Sequence, residues 1–396
     1  MTLNQSQRRT LTIFCKVVDN FGDIGICWRL ARQLHTEHDI SVTLWVDDLV
    51  SFRRLCPDVV VTAKSQEIAG IAVRHWQDDA SVGAEPTDIA DIVIEFFGCD
   101  IPPNFLAAMA ARRPAPVWLN LEGLSAEEWV EGCHTLPSPH GQLSLTKYFF
   151  FPGFTPRTGG LLCESPLIEQ RERFQNDAIS CQHFLRDLGL TASEITSFKV
   201  SLFCYPFAPV SELFAVWESG DVATTCLVPE GVAVDAVAAF FGEAVSAGAA
   251  CQRGALTVRV LPFIPQPDYD KLLWACDFNF VRGEDSFVRA QWANRPFVWH
   301  IYPQDKNLHH VKLDAFLKTY AVRLDHLAMI SHSWNGIDSA NIGEPHDWSA
   351  LWTNVIAALP EISTHGVHWQ QSMRHNGDLA SNLLRFATAR RAVSEQ

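Results

Sequence analysis

Through the first third of the chain, short apolar runs alternate with segments in which apolar positions recur every three or four residues. The run Leu11–Val18 is typical of a buried strand, whereas the apolar spacing within Ile26–His38 predicts a helix with one apolar face. The same reasoning predicts further strands at Ser41–Val46, Ile71–His75, Ile92–Phe97 and Val117–Leu121, and a helix at Phe105–Arg112. Buried strands that alternate with helices predict a parallel, doubly wound sheet.

The alternation starts again after a stretch rich in Pro and Gly and a charged helical segment at Ile168–Leu188. The strands predicted there are Lys199–Tyr205, Ala223–Val228, Leu256–Pro262, Phe278–Val281 and Pro296–Ile301. The helices predicted between them are Val210–Trp217, Ala233–Ala247, Tyr269–Ala275 and Phe287–Ala293. We therefore expect two domains, residues 1–193 and 194–366, and a long helix at Val367–Ala389 that carries the C-terminal segment 367–396 back onto the first domain.

Chain length and net charge limit the number of domains and the kinds of partner to expect. A chain of 396 residues is too long for one ordinary domain and suits two. Its 31 Lys and Arg against 45 Asp and Glu give a net charge of −14, which argues against nucleic-acid binding because phosphate affinity needs a basic face. The acidity either keeps the protein soluble or favours a partner that presents Arg or Lys.

The cysteines and the apolar runs indicate the cellular compartment in which the protein is expected. Eleven Cys are scattered without a Cys-x-x-Cys pair, and several lie inside predicted strands, which predicts reduced thiols and a cytoplasmic protein. No apolar run reaches the length of a membrane span, and Met1–Thr10 lacks the apolar region of a signal peptide. We expect no membrane association.

Two carboxylates lie in the loop Asp19–Gly25, between the first predicted strand and the first predicted helix. Gly22 and Gly25 permit a tight turn, but the loop has neither a Gly-x-Gly-x-x-Gly fingerprint nor a Walker Gly-Lys-Ser/Thr. Asp19 and Asp23 have two interpretations. In one, a carboxylate at the top of the sheet acts as general base; in the other, Asp23 caps the helix and Asp19 closes the turn.

A second loop, Arg282–Ser286, follows a predicted strand and precedes a predicted helix. The helix N-terminus and Arg282 suit a diphosphate, Ser286 can cap the helix or bind phosphate, and Glu284 with Asp285 suits sugar hydroxyls. The alternative is an ordinary helix start beside a surface arginine. Both loops follow strands, and ligands of open α/β sheets bind outside the carboxyl ends of strands, so we expect a site between the domains.

Aromatic side chains end two strands of the second half. Phe203 and Tyr205 follow one strand and Phe263 follows another, and such rings stack nucleobases. Gln266 has the amide suited to a pyrimidine edge. Each ring taken singly is typical of core; together with the second loop they predict a nucleotide pocket.

Two other signals do not support a metal site. Asp268-Tyr269-Asp270 has the Asp-x-Asp form of metal-dependent sugar transferases, but it follows Pro267 at a predicted helix start, where carboxylates are common. The histidines lack ligand spacing. We expect no catalytic metal.

Long motifs at both loops resemble one family. Phe14–Arg32 strongly resembles the opening of the bacterial EarP family, the protein-arginine rhamnosyltransferases that modify translation elongation factor P. Arg282–Trp292 resembles the second signature of that family. The resemblance extends over most of the chain and is least well anchored from about Phe154 to Ser193.

The resemblance implies an α/β fold of the GT-B type, with two facing Rossmann-like doubly wound domains and an interdomain cleft. It implies an inverting, metal-independent enzyme without a cofactor, which moves L-rhamnose from the co-substrate dTDP-β-L-rhamnose to an arginine of elongation factor P. Asp23 would be the base, with Asp19 assisting and Glu284 required. The residues implied to hold the sugar donor are Phe203, Tyr205, Phe263, Gln266, Arg282, Asp285, Ser286 and Tyr302. Loop residues expected to complete the substrate site are Asn20, Phe21, Gly22 and Gly283.

Two alternatives remain open at this point. One is a different nucleotide-sugar-dependent GT-B enzyme, a small-molecule transferase or an epimerase. The other is a binding module without catalysis, although binding alone does not need paired carboxylates at a glycine turn. The spacing of Asp19 and Asp23 also does not decide which of them takes the proton.

Overall fold

The computed structural model describes residues 8–19, 21–83, 85–337 and 346–394. The chain divides into two compact units, Met1–Ser165 with Met373–Gln396, and Pro166–Ser372. Each unit is built on its own sheet, and most strands of both sheets are parallel.

The first unit has an eight-stranded sheet in the order β3-β4-β2-β1-β5-β6-β8-β7. Its strands are β1 Thr10–Cys15, β2 Ser41–Val46, β3 Ser65–Ile68, β4 Ile71–His75, β5 Ile92–Phe96, β6 Val117–Leu121, β7 Pro137–Pro139 and β8 Thr146–Phe150. Its helices are α1 Gly22–His38, α2 Leu49–Leu55, α3 Pro103–Ala111 and α4 Trp129–Cys133, with 3₁₀ turns at Asp79–Ser81 and Pro86–Asp88. The outer strands β3 and β7 run antiparallel to their neighbours.

Burial explains why the central strands form. Every residue of β5 and β6 is buried, as expected for parallel strands covered on both faces. On one face of the sheet Phe14 packs against Trp45, Trp76 and Phe105, with ring centroids 4.8–6.1 Å apart. This core packs around the end of β1, which precedes the Asp19–Gly25 loop.

The second unit has a six-stranded sheet in the order β11-β12-β10-β9-β13-β14. Its strands are β9 Phe198–Leu202, β10 Thr224–Pro229, β11 Ala250–Arg253, β12 Leu256–Leu261, β13 Phe278–Arg282 and β14 Phe297–His300. Its helices before β14 are α5 Leu167–Asn176, α6 Ala178–Asp187, α7 Ala192–Thr196, α8 Val210–Ser219, α9 Val234–Phe241, α10 Gln266–Ala275 and α11 Asp285–Trp292. After β14 come a 3₁₀ turn at Asp305–Asn307 and helices α12 Leu308–Tyr320, α13 Asp325–Trp334, α14 Trp348–Ala357 and α15 Leu359–His375. The last helix, α16 Leu379–Ser394, belongs to the first unit.

The segment 166–193, which we predicted to belong to the first domain, packs on the second unit instead. Leu185 and Leu190 lie in the apolar cluster of the second sheet. Arg171 Nη1 donates to the Trp292 carbonyl at 3.0 Å. The boundary between the units therefore lies at residues 165 and 166 rather than 193.

Two segments predicted as single helices are each broken. The charged segment Ile168–Leu188 is divided at Asp177, whose carboxylate accepts hydrogen bonds from the first N–H groups of α6. The predicted helix Val367–Ala389 is α15 followed by α16, and Gly377 between them has φ of +78°. The C-terminal segment, predicted to return at 367, belongs to the first unit only from Met373, where Asn382 Nδ2 donates to the Gly159 carbonyl at 3.0 Å.

The structure shows the state of the thiols and the length of the apolar helices. All eleven Cys are thiols rather than disulfides, and most of them are buried. Within the described ranges, every helix is too short or too polar to cross a bilayer.

Candidate functional site

The Asp19–Gly25 loop follows β1 at the point where the strand order of the first sheet reverses. The next strand along the chain, β2, lies on one side of β1, and β5 lies on the other. Such a switch point is where open α/β sheets bind ligands. The loop therefore has the position that the sequence predicted.

Asp23 is folded back onto the loop that precedes it. It is the second residue of α1 and is 4% exposed. Its Oδ2 accepts hydrogen bonds from the backbone N–H of Val18 at 2.6 Å and of Asp19 at 2.9 Å. The carboxylate is thus held in one orientation by the backbone.

The start of α1 shows whether Asp23 caps the helix and how the turn at Asp19 is closed. The N-cap of α1 is Phe21, which makes no side-chain capping bond. The turn is closed by the backbone, since Gly22 N–H donates to the Asp19 carbonyl at 2.7 Å. Neither carboxylate is therefore the N-cap of α1.

Asp19 is close to Asp23, and both belong to one acidic cluster. A methyl group on Gly22 would lie 3.3 Å from Asp19 Oδ2, so glycine gives the Asp19 carboxylate its room. Asn20, the remaining predicted residue of the loop, lies outside the described residues.

Burial is the largest cause that raises the pKa of Asp23 above its usual value, while the two backbone hydrogen bonds act in the opposite direction. The neighbouring carboxylates of Asp19 and Asp47 raise the pKa further. A carboxylate with raised proton affinity is better suited to act as general base than an ordinary surface aspartate.

Asp47 is a member of this cluster that our sequence reasoning missed. It follows β2 directly, and its Oδ1 accepts from Val17 N–H at 2.9 Å. Asp47 and Asp23 together hold three successive N–H groups, those of residues 17, 18 and 19. Its position directly after a neighbouring parallel strand was the signal that could have identified it.

The predicted nucleotide residues of the second unit lie at the corresponding switch point, where β10 and β13 lie on opposite sides of β9. The Arg282 guanidinium lies 4.3 Å from the Phe203 ring centroid and 4.9 Å from that of Tyr205. Its Nη1 donates to the Cys204 carbonyl at 2.8 Å. The Tyr302 ring packs edge-on against Tyr205 at 5.7 Å. The fold thus brings these four predicted residues into one cluster.

The turn from Arg282 to Ser286 is fixed by its own side chains. Ser286 Oγ accepts from Arg282 N–H at 3.0 Å and donates to the Arg282 carbonyl at 2.5 Å. Gly283 has φ of +59°, and its carbonyl accepts from Trp299 Nε1 at 2.6 Å. Ser286 therefore shapes the turn through the backbone, in addition to any contact with a ligand.

Gln266 and Asp285 form a second pair at this edge. Gln266 begins α10, is buried, and its Nε2 donates to Asp285 Oδ2 at 3.4 Å. Glu284 is the N-cap of α11 and makes no side-chain capping bond. Phe263 lies half-buried between β12 and α10.

Phe207 and His300 also belong to the cluster, although the sequence reasoning did not select them. Phe207 is 57% exposed, and its ring is parallel to that of Tyr205 at 5.8 Å. His300 ends β14 and packs edge-on against Phe207 at 4.7 Å. Phe207 follows Tyr205 by two residues, so the alternation along the chain could have indicated it.

The Asp-x-Asp sequence has a structural explanation. Asp270 forms two hydrogen bonds with the buried guanidinium of Arg289, at 2.7 and 2.9 Å, and Asp268 pairs with Lys271 at 2.9 Å. Residues 8–19, 21–83, 85–337 and 346–394 contain no group of three or more His, Cys, Asp or Glu that could hold a metal ion.

Comparison with known proteins finds similarity to one family over nearly the whole chain. The model of the family described as elongation factor P (EF-P) rhamnosyltransferase EarP matches residues 11–388. A protein-arginine rhamnosyltransferase of Pseudomonas putida is 44% identical over 386 residues, which cover 96% of this chain and 98% of the relative. One of Pseudomonas aeruginosa is 42% identical over 380 residues, covering 94% and 97%.

The chain is also similar to a solved structure, and this similarity concerns the fold. It was described as the structural basis for EarP-mediated arginine glycosylation of translation elongation factor EF-P, and it is 32% identical to this chain. The match covers 96% of this chain and 99% of the other, with a TM-score of 0.66. The fold of this chain is of the GT-B type, as predicted.

Proposed function

This chain belongs to the EarP family of elongation factor P rhamnosyltransferases, and from that premise we propose that it transfers L-rhamnose from dTDP-β-L-rhamnose to an arginine side chain of translation elongation factor P. The observation that carries the proposal is Asp23, a buried carboxylate of raised pKa that is oriented by two backbone N–H groups at a switch point. A sugar-binding module without catalysis has no use for such a group.

The second unit supplies the site for the sugar donor. The Phe203 and Tyr205 rings suit the thymine base, which stacks on aromatic faces. Gln266 has an amide suited to the polar edge of the base. The N-terminus of α11 and the Arg282 guanidinium suit the diphosphate, because both present positive charge and N–H groups. Asp285 and Glu284 are suited to sugar hydroxyls.

The first unit supplies the acceptor side. The loops after β1, β2, β5 and β6, residues 16–21, 47–48, 97–102 and 122–128, contain seven carboxylates and one cation, Lys16. That cation lies over the Trp76 ring at 4.6 Å. An edge so rich in carboxylates favours a cationic substrate such as an arginine side chain.

The proposed reaction is a single displacement. A guanidinium is a poor nucleophile because it is always charged and delocalised. Asp23, assisted by Asp19, orients the guanidinium and accepts one of its N–H protons while the nitrogen attacks the anomeric carbon. The bond from that carbon to the diphosphate oxygen breaks, and dTDP leaves with the bonding electron pair. One displacement inverts the configuration, so a β-linked donor yields an α-linked rhamnosyl-arginine.

Stabilisation of the departing dTDP falls to the second loop. Negative charge that develops on the diphosphate is met by Arg282 and the N-terminus of α11, both fixed before the reaction by the Ser286 and Trp299 hydrogen bonds. Glu284, at the N-cap position, is proposed to hold the sugar or the cationic acceptor rather than the phosphates.

Release of dTDP tests the proposal against other sugar-nucleotide chemistry. The protein is incubated with dTDP-β-L-rhamnose alone, with elongation factor P, and with elongation factor P whose acceptor arginine is replaced by lysine. We expect stoichiometric dTDP release only with the unmodified acceptor. Equal release in all three samples would support hydrolysis of the donor instead, and no release in any of them would support a transferase that uses another acceptor.

A further inference from the structure

His300 links two strands that are not neighbours in the second sheet. It is the last residue of β14, is fully buried, and its Nδ1 accepts a hydrogen bond from Tyr205 N–H at 3.2 Å. Tyr205 follows β9, and β13 lies between β9 and β14. The imidazole therefore reaches over the carboxyl end of β13, beside the loop that begins at Gly283.

Two further hydrogen bonds join the same three strand ends. Gly283 N–H donates to the His300 carbonyl at 3.3 Å, and Arg282 Nη1 donates to the Cys204 carbonyl at 2.8 Å. Together with the His300–Tyr205 bond they connect β14 to β13, β13 to β9, and β9 back to β14. The ends of the strands are thus held as one closed network.

The His300 ring also packs behind the aromatic side chains of the cluster. Its edge-on contacts are with Tyr205 at 5.4 Å, Phe207 at 4.7 Å and Trp334 at 5.8 Å. Since Tyr205 and Phe207 are parallel to each other, the imidazole sets the position of both rings from one side.

The protonation state of His300 follows from its surroundings. Burial lowers its pKa to about 3, and the Arg282 and His309 charges add to that effect. The ring is therefore neutral at physiological pH, and because Nδ1 accepts, the proton is on Nε2. Nε2 is buried without a hydrogen-bond partner among the described residues. A buried donor without a partner lowers stability, so the histidine is explained by what its other nitrogen, Nδ1, does.

We infer that His300 is a positioning residue for binding of the sugar nucleotide: its Nδ1 fixes the Tyr205 backbone, so that the Tyr205 ring and the Arg282 guanidinium keep the arrangement that receives the base and the diphosphate. The inference rests on the proposed function and deepens its donor site. What a histidine supplies here and an apolar ring does not is the Nδ1 acceptor.

Two substitutions of His300 distinguish the role of its hydrogen-bond acceptor, Nδ1, from that of its ring. His300→Phe keeps a ring but removes the acceptor, and His300→Asn keeps an acceptor close to the position of Nδ1 but removes the ring. The control is His134→Phe, because His134 makes the same kind of bond in the first unit: its Nδ1 accepts from Phe151 N–H at 3.1 Å, and its ring packs on Phe150. For each protein we would measure dTDP affinity by calorimetry, donor KM and kcat, the melting temperature, and hydrogen exchange of the peptide containing Tyr205.

We expect His300→Phe to weaken dTDP binding and raise donor KM by about tenfold, with kcat changed less, and to accelerate exchange at Tyr205. His300→Asn should restore most of the affinity and the protection, even if it melts lower, and His134→Phe should bind dTDP as the wild type does. Wild-type affinity in His300→Phe, or an equal loss in His300→Phe and His300→Asn, would overturn the positioning role. Absence of dTDP binding by the wild-type protein would instead overturn the proposed donor, and this inference with it.

Discussion

At the residue scale the account depends on Asp23, and its carboxylate can be removed without disturbing the loop. Both backbone hydrogen bonds go to the same oxygen, Oδ2, so the carbonyl oxygen of an asparagine can accept both. We expect Asp23→Asn to lower kcat by roughly 10²–10⁴-fold, the usual contribution of a general base, while dTDP affinity is kept. Transfer kinetics and calorimetry measure the two quantities.

The matched control for that variant is Asp39→Asn. Asp39 follows the other end of the same helix, α1, its side chain is 85% exposed, and its left-handed backbone suits asparagine. It should have wild-type kcat. A similar loss in both variants would show that the effect of Asp23→Asn is not specific to the loop.

The raised pKa of Asp23 predicts that the ionised side chain, which catalysis needs, lowers the stability of the folded protein. Its pKa is raised in the folded state, so its contribution to stability is largest below its unfolded pKa and is lost as the pH rises through the folded pKa. Ionised Asp23 therefore destabilises the fold at neutral pH. We expect Asp23→Asn to melt higher than the wild type at pH 7, with the difference shrinking as the pH falls towards 4. A variant that melts lower at pH 7 and equally at pH 4 would reverse the sign and contradict the raised pKa.

The sequence identified these residues by type and place, and the structure supplied what each side chain does. Asp23 was recognised from its position after a strand, but its bonds to Val18 and Asp19 depend on how the loop folds back. Ser286 was expected to cap the helix or bind phosphate, and the structure adds that its hydroxyl bonds the backbone of Arg282. His300 was missed because its partner is 95 residues away in the chain.

At the element scale, the ion pair Asp270–Arg289 ties α10 to α11, the two helices that begin at the nucleotide residues. Both side chains are buried, so replacing Asp270 removes the charged partner that forms two hydrogen bonds with Arg289. We expect Asp270→Asn to lower the free energy of unfolding by about 3–5 kcal/mol. Asp268→Asn breaks the exposed pair with Lys271 and should cost about 0–1 kcal/mol. Denaturant unfolding compares the two, and equal midpoints would contradict the account of the Asp-x-Asp sequence.

The turn between α15 and α16 depends on the close approach of two glycines. A Cβ on Gly160 would lie 2.4 Å from the Gly377 carbonyl oxygen, and Gly160 has φ of +76°. Gly231 has φ of +81° but open space around its Cβ position. Gly231→Ala should therefore cost only the left-handed strain of roughly 1–2 kcal/mol.

Gly160→Ala should cost clearly more than Gly231→Ala, because the backbone must also move. Melting temperatures of the two purified variants measure the difference. If Gly160→Ala were the more stable of the two, the close approach of Gly160 to the Gly377 carbonyl would be contradicted.

The sequence predicted the elements of the two sheets well where burial and periodicity agree. Val117–Leu121 and Ile71–His75 were predicted with the bounds that the structure has. It failed where one residue overrides a helical pattern, as at Gly377, and at short antiparallel strands such as Ser65–Ile68, which carry little apolar signal.

At the scale of the whole molecule, two α/β units of the GT-B type were predictable from the repeated alternation of strands and helices. The assignment of residues 166–193 was not, because an amphipathic helix shows that it has an apolar face but not which sheet covers it. Leu185 and Leu190 pack in the apolar cluster of the second unit. The periodicity of apolar residues predicts the fold, whereas the match to the family indicates the chemistry.

The intact mass of elongation factor P, after incubation with this protein and dTDP-β-L-rhamnose, tests the central claim most directly. The account predicts a gain of one deoxyhexose on a single arginine with the wild-type protein, and none with Asp23→Asn over the same time. An unchanged mass with the wild-type protein, under conditions where it demonstrably binds dTDP, would contradict the assignment of elongation factor P as the acceptor.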